Sequence, residues 1–99
     1  MIIVFGSIQA RLDTLNELRR LSLEHVTRSR TEPGCLEHCV ASDANDGLRL
    51  MFFERWVDSA SLLAHFELPA SRRFAKQVAQ LAARPPELST YEASELSLR

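Results

Sequence analysis

Apolar residues alternate with polar ones, or gather into β-branched and aromatic groups, in four short stretches of the chain. Stretches of this kind, bounded by Gly, Pro, Asn and Asp, are typical of β-strands. The first stretch is apolar on both sides near its start, with Ile2 and Val4 on one side and Ile3 and Phe5 on the other. The pattern predicts strands over residues 2–10, 35–43, 48–57 and 87–98.

Helical spacing replaces alternation after the first strand. Asp13 is predicted to cap the first helix, because its short side chain can accept the free N–H groups of a first helical turn. Pro33 and Gly34 end the helix, since Pro disfavours helix in the residue before it and Gly permits positive φ. The apolar face of this helix is formed by Leu15, Leu18, Leu21 or Ser22, and Val26.

Three further signals divide the rest of the chain. The Asp46-Gly47 pair, within residues 44–47, is a strong signal for a hairpin between the second and third strands. Asp58 predicts the start of a short helix, and Pro69 suits the first turn of another. The apolar positions of these two helices are Leu62, Leu63 and Phe66, then Phe74, Val78 and Leu81.

The order of elements is therefore βαββαβ, with the last helical segment in two pieces. This order predicts an α+β, ferredoxin-like fold, in which helices cover one face of an antiparallel four-stranded sheet. Because the first strand is apolar on both sides, the other face of the sheet also needs cover. Exposed apolar surfaces of this kind mark interfaces, so we expect a homodimer whose sheets pack face to face.

Composition fits a single domain over residues 1–99 and disfavours nucleic acid as a partner. The chain is 45% apolar and 25% charged, with a net charge of −1 and no clustered basic face. RNA-recognition modules share the βαββαβ order, but they need a basic, Gly-containing aromatic consensus on the central strands. Residues 48–54 contain no Gly and carry an acid, so we expect no nucleic-acid binding.

The start of the chain is apolar for only five residues, which is too short for a secretory signal. No stretch approaches the roughly 20 apolar residues of a membrane span. The two cysteines, Cys35 and Cys39, are expected to be reduced thiols. These features predict a cytoplasmic protein without a membrane partner.

Motifs spread over nearly all of the chain resemble the antibiotic biosynthesis monooxygenase superfamily. One is the Glu-Pro-Gly-Cys stretch at residues 32–35, and another is Glu54 and Trp56 followed by His65. The resemblance implies a dimeric α+β barrel made of two sheets packed face to face. The other residues that carry it are Leu36, Phe53, Arg55, Ser59, Leu62, Ala64, Phe66, Phe74, Pro85 and Pro86.

This superfamily contains cofactor-free monooxygenases of polycyclic phenols, quinol oxidases, haem-degrading enzymes and an isomerase of a signalling sugar. The resemblance implies, as our first hypothesis, a cofactor-independent monooxygenase that oxidises a small phenolic or quinol substrate with O₂. The alternative is a non-oxidising small-ligand-binding dimer, or an isomerase that uses the same pocket for enolisation. Haem degradation is disfavoured, because only Trp56 matches the residues of the haem-degrading relatives. We expect neither a cofactor nor a metal.

His65 and Glu54 are the predicted catalytic residues. An imidazole titrates close to working pH, which suits the removal of a phenolic proton by His65. Glu54 could accept a proton from His65 or orient it. The alternatives are a partly buried His65 that bonds a backbone carbonyl, and a Glu54 that pairs with an Arg.

Four further residues are predicted to bind the substrate. Trp56 shares a strand face with Glu54, because the two are two residues apart, and its alternative role is core or interface packing. Phe53 points the other way and is expected in the core under a helix. The predicted substrate-binding residues are Trp56, Phe52, Phe66 and His38.

The remaining histidine and the cysteines are assigned no chemistry. Cys35, His38 and Cys39 superficially resemble a metal set, but strand alternation points His38 away from both thiols. His25, on the first helix, is expected at the surface.

Overall fold

The computed structural model describes residues 1–99 and contains seven elements of secondary structure. Their order confirms the predicted one, with the last helical segment divided in two. None of the three helices combines the length and the apolar character that a membrane crossing needs. The elements are β1 (Ile2–Gln9), α1 (Leu15–Ser29), β2 (Cys35–Asp43), β3 (Asp46–Trp56), α2 (Ser59–Glu67), α3 (Pro69–Leu81) and β4 (Glu87–Glu92).

The four strands form one antiparallel sheet in the order β2-β3-β1-β4. This arrangement confirms the predicted ferredoxin-like fold. Long apolar strands occupy the centre, where β1 pairs with β3 over its whole length, from Ile2 opposite Trp56 to Gln9 opposite Arg49. The short strand β4 lies at an edge and is exposed at every position. It ends at Glu92, so its predicted extension to residue 98 is wrong.

The helices cover one face of the sheet, which we call the covered face. Strand residues at alternate positions point into it and pack against α1, α2 and α3. One buried group joins Ile8, Ala10, Leu50 and Phe52 to the helices through Leu18, Val26 and Val78. A second buried group contains Ile2, Val4, Trp56 and Leu62. Trp56, the single tryptophan of the chain, is fully buried in this second group.

The opposite face of the sheet carries no helix, and we call it the bare face. Phe5 and Phe53 face each other across β1 and β3, with their ring centroids 5.2 Å apart. Phe53 therefore does not lie under a helix, and that prediction is wrong. Phe5 is 52% exposed, and Met51 and Tyr91 on the same face are 39% and 54% exposed.

The caps of the helices follow the predicted pattern at one site and depart from it at another. The Asp58 side chain accepts a hydrogen bond from the backbone N–H of Ser61 at 2.8 Å, as expected of an N-cap. Pro69 opens α3 at its first position. Asp13 is not the cap of α1: the helix begins one residue later than expected, and the Thr14 hydroxyl bonds the backbone N–H of Arg11 instead.

The chain reversals confirm the turn at Gly34 and the hairpin between β2 and β3, but the hairpin turn is shorter than predicted. Gly34 has a φ of 84°, and an added Cβ would lie 2.5 Å from Cβ of Ser61, so the turn before β2 requires a glycine there. In the hairpin, however, the turn residues are Ala44 and Asn45. Asp46 and Gly47 already belong to β3, because the Asp43 carboxylate accepts the N–H of Asn45 and closes the turn earlier.

Candidate functional site

All three histidines of the chain meet beneath the helices on the covered face. His25 comes from α1, His38 from β2 and His65 from α2. Each is at least 93% buried, and one ring nitrogen of each lies within 4.8 Å of the others. The prediction that His25 lies at the surface is wrong: its ring stacks on Phe74 of α3, with 4.1 Å between centroids and planes within 9°. We call these three residues the histidine cluster.

A carboxylate from the loop before β2 holds one ring of the histidine cluster. Glu32 Oε1 lies 2.7 Å from His65 Nδ1, and both side chains are largely buried. A carboxylate oxygen accepts, so Nδ1 of His65 is the donor of this bond, and in the neutral ring Nε2 is then the nitrogen with the lone pair. This pairing fixes the ring orientation and tautomer of His65, as a carboxylate does in hydrolase triads.

Glu54 bonds to groups other than His65. Its Oε1 accepts a hydrogen bond from the Trp56 indole at 2.9 Å, and its Oε2 lies 3.6 Å from His38 Nε2. The antiparallel register causes this neighbourhood, because His38 of β2 lies directly opposite Glu54 of β3. His65 packs against Trp56, with ring centroids 4.8 Å apart and planes tilted by 38°. The carboxylate that contacts His65 is thus Glu32, while Glu54 lies between Trp56 and His38.

Burial controls the charges of this group of side chains. Loss of solvent, and secondarily the neighbouring His65, lowers the pKa of His25 to about 3 and that of His38 to about 3. Burial also raises the pKa of Glu54, although the bond from Trp56 and the proximity of His65 oppose that rise. His25 and His38 are therefore neutral near pH 7. The Arg28 guanidinium donates to Nδ1 of His25 at 3.0 Å, which suits an uncharged ring.

A cavity of about 340 Å³ opens above the histidine cluster. Its size is in the range that small-molecule sites occupy. The three imidazoles and Glu54 lie on its inner side, and its walls are largely apolar. Phe52, Phe66 and Phe74 give those walls their aromatic part, while Arg72, Glu87 and Leu88 lie at its exposed rim.

The fold brings most of the predicted site residues to this cavity. His65, Glu54, Phe52, Phe66 and His38 line it. Phe66 is 40% exposed, near the opening. The roles of these residues in catalysis and binding stay predictions.

Trp56 is placed differently from the other predicted substrate-binding residues. It is not among the lining side chains and supports Glu54 and His65 from the core. A role in holding these two groups fits this position better than direct contact with a substrate.

Sequence reasoning missed Glu32, His25 and Phe74 as members of the site. Glu32 was used only as part of the Glu-Pro-Gly-Cys motif at residues 32–35, and no local pattern indicates that its side chain reaches α2. His25 did carry a signal, because it is seven residues after Leu18 and three after Ser22, on the buried helical face. The assignment of His25 to the surface followed from its polarity rather than from its position.

An irregularity in β2 changes the assignment of the cysteines. The register shifts between Cys35 and Glu37, so that Cys35 packs against the buried group around Trp56, whereas Cys39 lies opposite Phe53 on the bare face. His38 and Cys35 therefore share a face, and the prediction that His38 points away from both thiols is wrong for Cys35. Both thiols are free.

The chain was compared with known proteins. The family model described as Antibiotic biosynthesis monooxygenase matches residues 1–77. The uncharacterized protein sll1783 of Synechocystis sp. is 33% identical over 94 residues, which cover 95% of this chain and 64% of that protein. The chain thus spans less than two thirds of the length of this curated relative.

Crystal structures show the same fold. A protein from Deinococcus radiodurans, provisionally named an antibiotic biosynthesis monooxygenase, superposes with a TM-score of 0.93 at 24% identity, over 98% of this chain and 96% of that one. Rv0793 from Mycobacterium tuberculosis superposes with a TM-score of 0.90 at 26% identity, over 97% of both chains. Because the family model matches more than three quarters of the sequence, the chain belongs to the antibiotic biosynthesis monooxygenase family.

Proposed function

We propose that this protein is a cofactor-independent monooxygenase that oxidises a small phenol or quinol with O₂. One observation carries the proposal: the His65 imidazole, held at Nδ1 by Glu32, lies at the inner side of a cavity with aromatic walls. Membership of the family supports a monooxygenase-like role. The substrate class rests on the chemistry of the cavity.

The proposed reaction begins with a proton transfer. Nε2 of His65 accepts the phenolic proton, and Glu32 stabilises the imidazolium that forms. The resulting aryloxide is electron-rich and gives an electron to O₂, after which the two radicals combine at a ring carbon. The peroxide formed takes the proton back from the imidazolium of His65, and the resulting hydroperoxide loses water, which leaves a quinone. Phenol and O₂ are thus converted into quinone and H₂O, with O₂ as the only oxidant.

The cavity would supply orientation and exclude water. Phe52 and Phe66 would contact the faces and edges of the substrate ring, as aromatic pairs do at 4.5–7 Å. His38, neutral because of its burial, can accept or donate a hydrogen bond to a ring substituent. Glu54 can donate a hydrogen bond when protonated, which the rise of its pKa favours. Trp56 would act by holding Glu54 in place.

Oxygen uptake tests the proposal. Chelator-treated protein is mixed with a panel of hydroquinones and phenols, and initial rates are followed with an oxygen electrode. We expect His65→Ala to lower kcat by about 10²–10⁴-fold, the usual contribution of a general base. Glu32→Gln should lower kcat more than it changes KM, because it alters the tautomer of His65 and leaves the walls intact. Glu17→Gln, a change at an exposed carboxylate of α1, is the matched control and should keep the full rate.

Equal oxygen uptake by His65→Ala and the unaltered protein would remove His65 from the reaction. A product with the same oxidation state as the substrate would favour the alternative function, an isomerase in which His65 removes a proton next to a carbonyl and Glu54 returns one. Tight binding of aromatic compounds without turnover would favour a ligand-binding dimer.

We further propose that the active form is a homodimer joined through the bare face. Five apolar side chains gather there around the Phe5–Phe53 contact, and the helices leave all of them uncovered. A second copy presents an identical surface, which a two-fold axis can match to the first. Two free thiols fit a reducing compartment, so we place this dimer in the cytoplasm. The five side chains are Ile3, Phe5, Met51, Phe53 and Tyr91.

A further inference from the structure

We propose that the histidine cluster is also a binding site for one divalent late transition-metal ion, with Zn²⁺ as the probe. The proposal goes beyond the oxygenase reaction and does not depend on it. Neutral imidazole is the side chain that Zn²⁺, Cu²⁺ and Ni²⁺ commonly take as a ligand. Three histidines with one open position form a known type of zinc site.

The first support is the convergence of all of the chain's imidazoles. His25, His38 and His65 come from three different elements, yet one nitrogen of each lies within 4.8 Å of the others. Two imidazole nitrogens on one Zn²⁺ are about 3.3 Å apart, given bonds of about 2.0–2.1 Å in tetrahedral geometry. Side-chain rotations that draw the rings together by up to about 1.5 Å would complete the set.

The second support is the state of His38. Its side chain is only 1% exposed, and neither Nδ1 nor Nε2 has a hydrogen-bond partner. Buried polar atoms are almost always paired, because an unpaired one loses its bond to water without replacement. A metal ion among the three rings would give one of these nitrogens a partner.

The third support lies around the cluster. Glu32 accepts the Nδ1 proton of His65, which leaves Nε2 as the ligand atom and reproduces the carboxylate–histidine pairing of zinc sites. Glu54 Oε2, 3.6 Å from His38 Nε2, can bind the ion as a fourth ligand or accept a bond from its water. The adjoining cavity leaves room for that position.

One neighbour opposes the ion. Arg28 carries a positive charge and donates to Nδ1 of His25, so in the metal-free protein the proton of His25 is on Nε2. Binding of the ion requires this proton to leave or the guanidinium to move. Removal of the Arg28 charge should therefore strengthen metal binding. This effect is opposite to that expected when one of the three histidines is replaced.

The test measures binding directly and without substrate. Chelator-treated full-length protein is titrated with Zn²⁺ by calorimetry and with Co²⁺ by visible absorption, and we expect one ion per chain. Glu32→Gln should weaken binding about 10–100-fold, as loss of a supporting carboxylate does. His25→Gln and His38→Gln should weaken it at least as much, while Arg28→Met should strengthen it. Cys35→Ser with Cys39→Ser is the matched control and should leave binding unchanged.

X-ray absorption of the Zn²⁺-loaded unaltered protein keeps the test decisive if a variant does not fold. Three imidazoles in the first coordination shell are expected. The proposal would be overturned by fewer than two imidazoles in that shell, by no binding at millimolar Zn²⁺, or by loss of binding only in the cysteine control.

Oxygen uptake gives a separate result. The ion would occupy the lone pair of His65 that accepts the phenolic proton in the proposed reaction. Zn²⁺ should therefore inhibit any oxygen uptake by the protein. Failure of metal binding leaves the oxygenase proposal intact, and absence of uptake leaves the binding result intact.

Discussion

The covered and bare faces are formed by alternate residues of the same strands, yet only the covered face combines buried apolar residues with buried polar ones. The covered face encloses three histidines and Glu54 in its interior, beside the fully buried Trp56. The bare face exposes Phe5, Met51 and Tyr91. The helices explain this difference. A polar group that they enclose can be held in one geometry by its neighbours. An apolar group that they leave uncovered can be removed from water only by another chain.

The largest expected effect comes from emptying the centre of the covered face. Trp56→Ala removes a fully buried indole and the donor that pairs with Glu54. We expect the free energy of unfolding to fall by about 3–5 kcal/mol, the usual cost of deleting a large buried aromatic. Urea denaturation followed by circular dichroism measures it. A loss below about 1 kcal/mol would show that the covered face is not the main source of stability.

Lowering the pH should lower the free energy of unfolding through His25 and His38 on the covered face. Their pKa is about 3 in the folded protein and about 6.5 when unfolded, so the unfolded chain binds more protons between these values. Stability is therefore complete above about pH 6.5 and falls with decreasing pH, by up to about 1.4 kcal/mol per pH unit for each histidine. Glu54 acts with the opposite sign, because its pKa is raised on folding and its protonation stabilises the folded state.

Urea denaturation of chelator-treated protein at several values between pH 7.5 and pH 4.5 tests this dependence. His25→Gln should make the dependence shallower. Unchanged stability across the range would show that the pKa of each ring is the same in the folded and the unfolded protein.

A smaller effect is expected in the helical layer that packs on the covered face. Asp58→Ala removes the side-chain bond to the N–H of Ser61 and should cost about 1 kcal/mol. Asp13→Ala is the matched comparison, because Asp13 precedes a helix without capping it. It should change the free energy of unfolding by less than about 0.5 kcal/mol. Equal losses in the two variants would contradict the observed start of α1.

The smallest change in the stability of the protomer is expected on the bare face. Phe5→Asp replaces a side chain that is 52% exposed, so the chain should keep its circular dichroism spectrum. Its association should nevertheless be lost, because a charge would be buried between the two copies. Sedimentation velocity measures this, with Leu12→Asp, an exposed change outside the sheet, as the control. A monomeric unaltered protein at micromolar concentration would refute the dimer.

Local patterns predicted the elements better than their ends. Helix and strand periods reflect the faces of individual segments, so they located β1, α1 and the pair α2 and α3. The ends depended on single hydrogen bonds. With the N–H of Asn45 bonded to Asp43, β2 ends at Asp43 as predicted, but β3 begins at Asp46, two residues before the expected Leu48. The prediction that residues 1–99 are a single domain remains a prediction.

The residue types of the site were visible in the sequence, and their partners were not. Glu54 and His65 line the same cavity, but the carboxylate that bonds His65 is Glu32, which is 33 residues away in the chain. His25 was assigned to the surface although its helical position placed it inside. A polar residue on a buried face can be assigned to a site only when the residues that surround it in the folded protein are known.

By itself the sequence determined the order of the elements, the ferredoxin-like fold and the two-sided apolar character of β1, because periodicity and turn residues act over a few positions. Tertiary structure alone decided that all three histidines meet, that Glu32 reaches His65 and that Cys35 turns to the covered face. Contacts of this kind depend on register, on one strand irregularity and on helix packing, which combine residues distant in the chain.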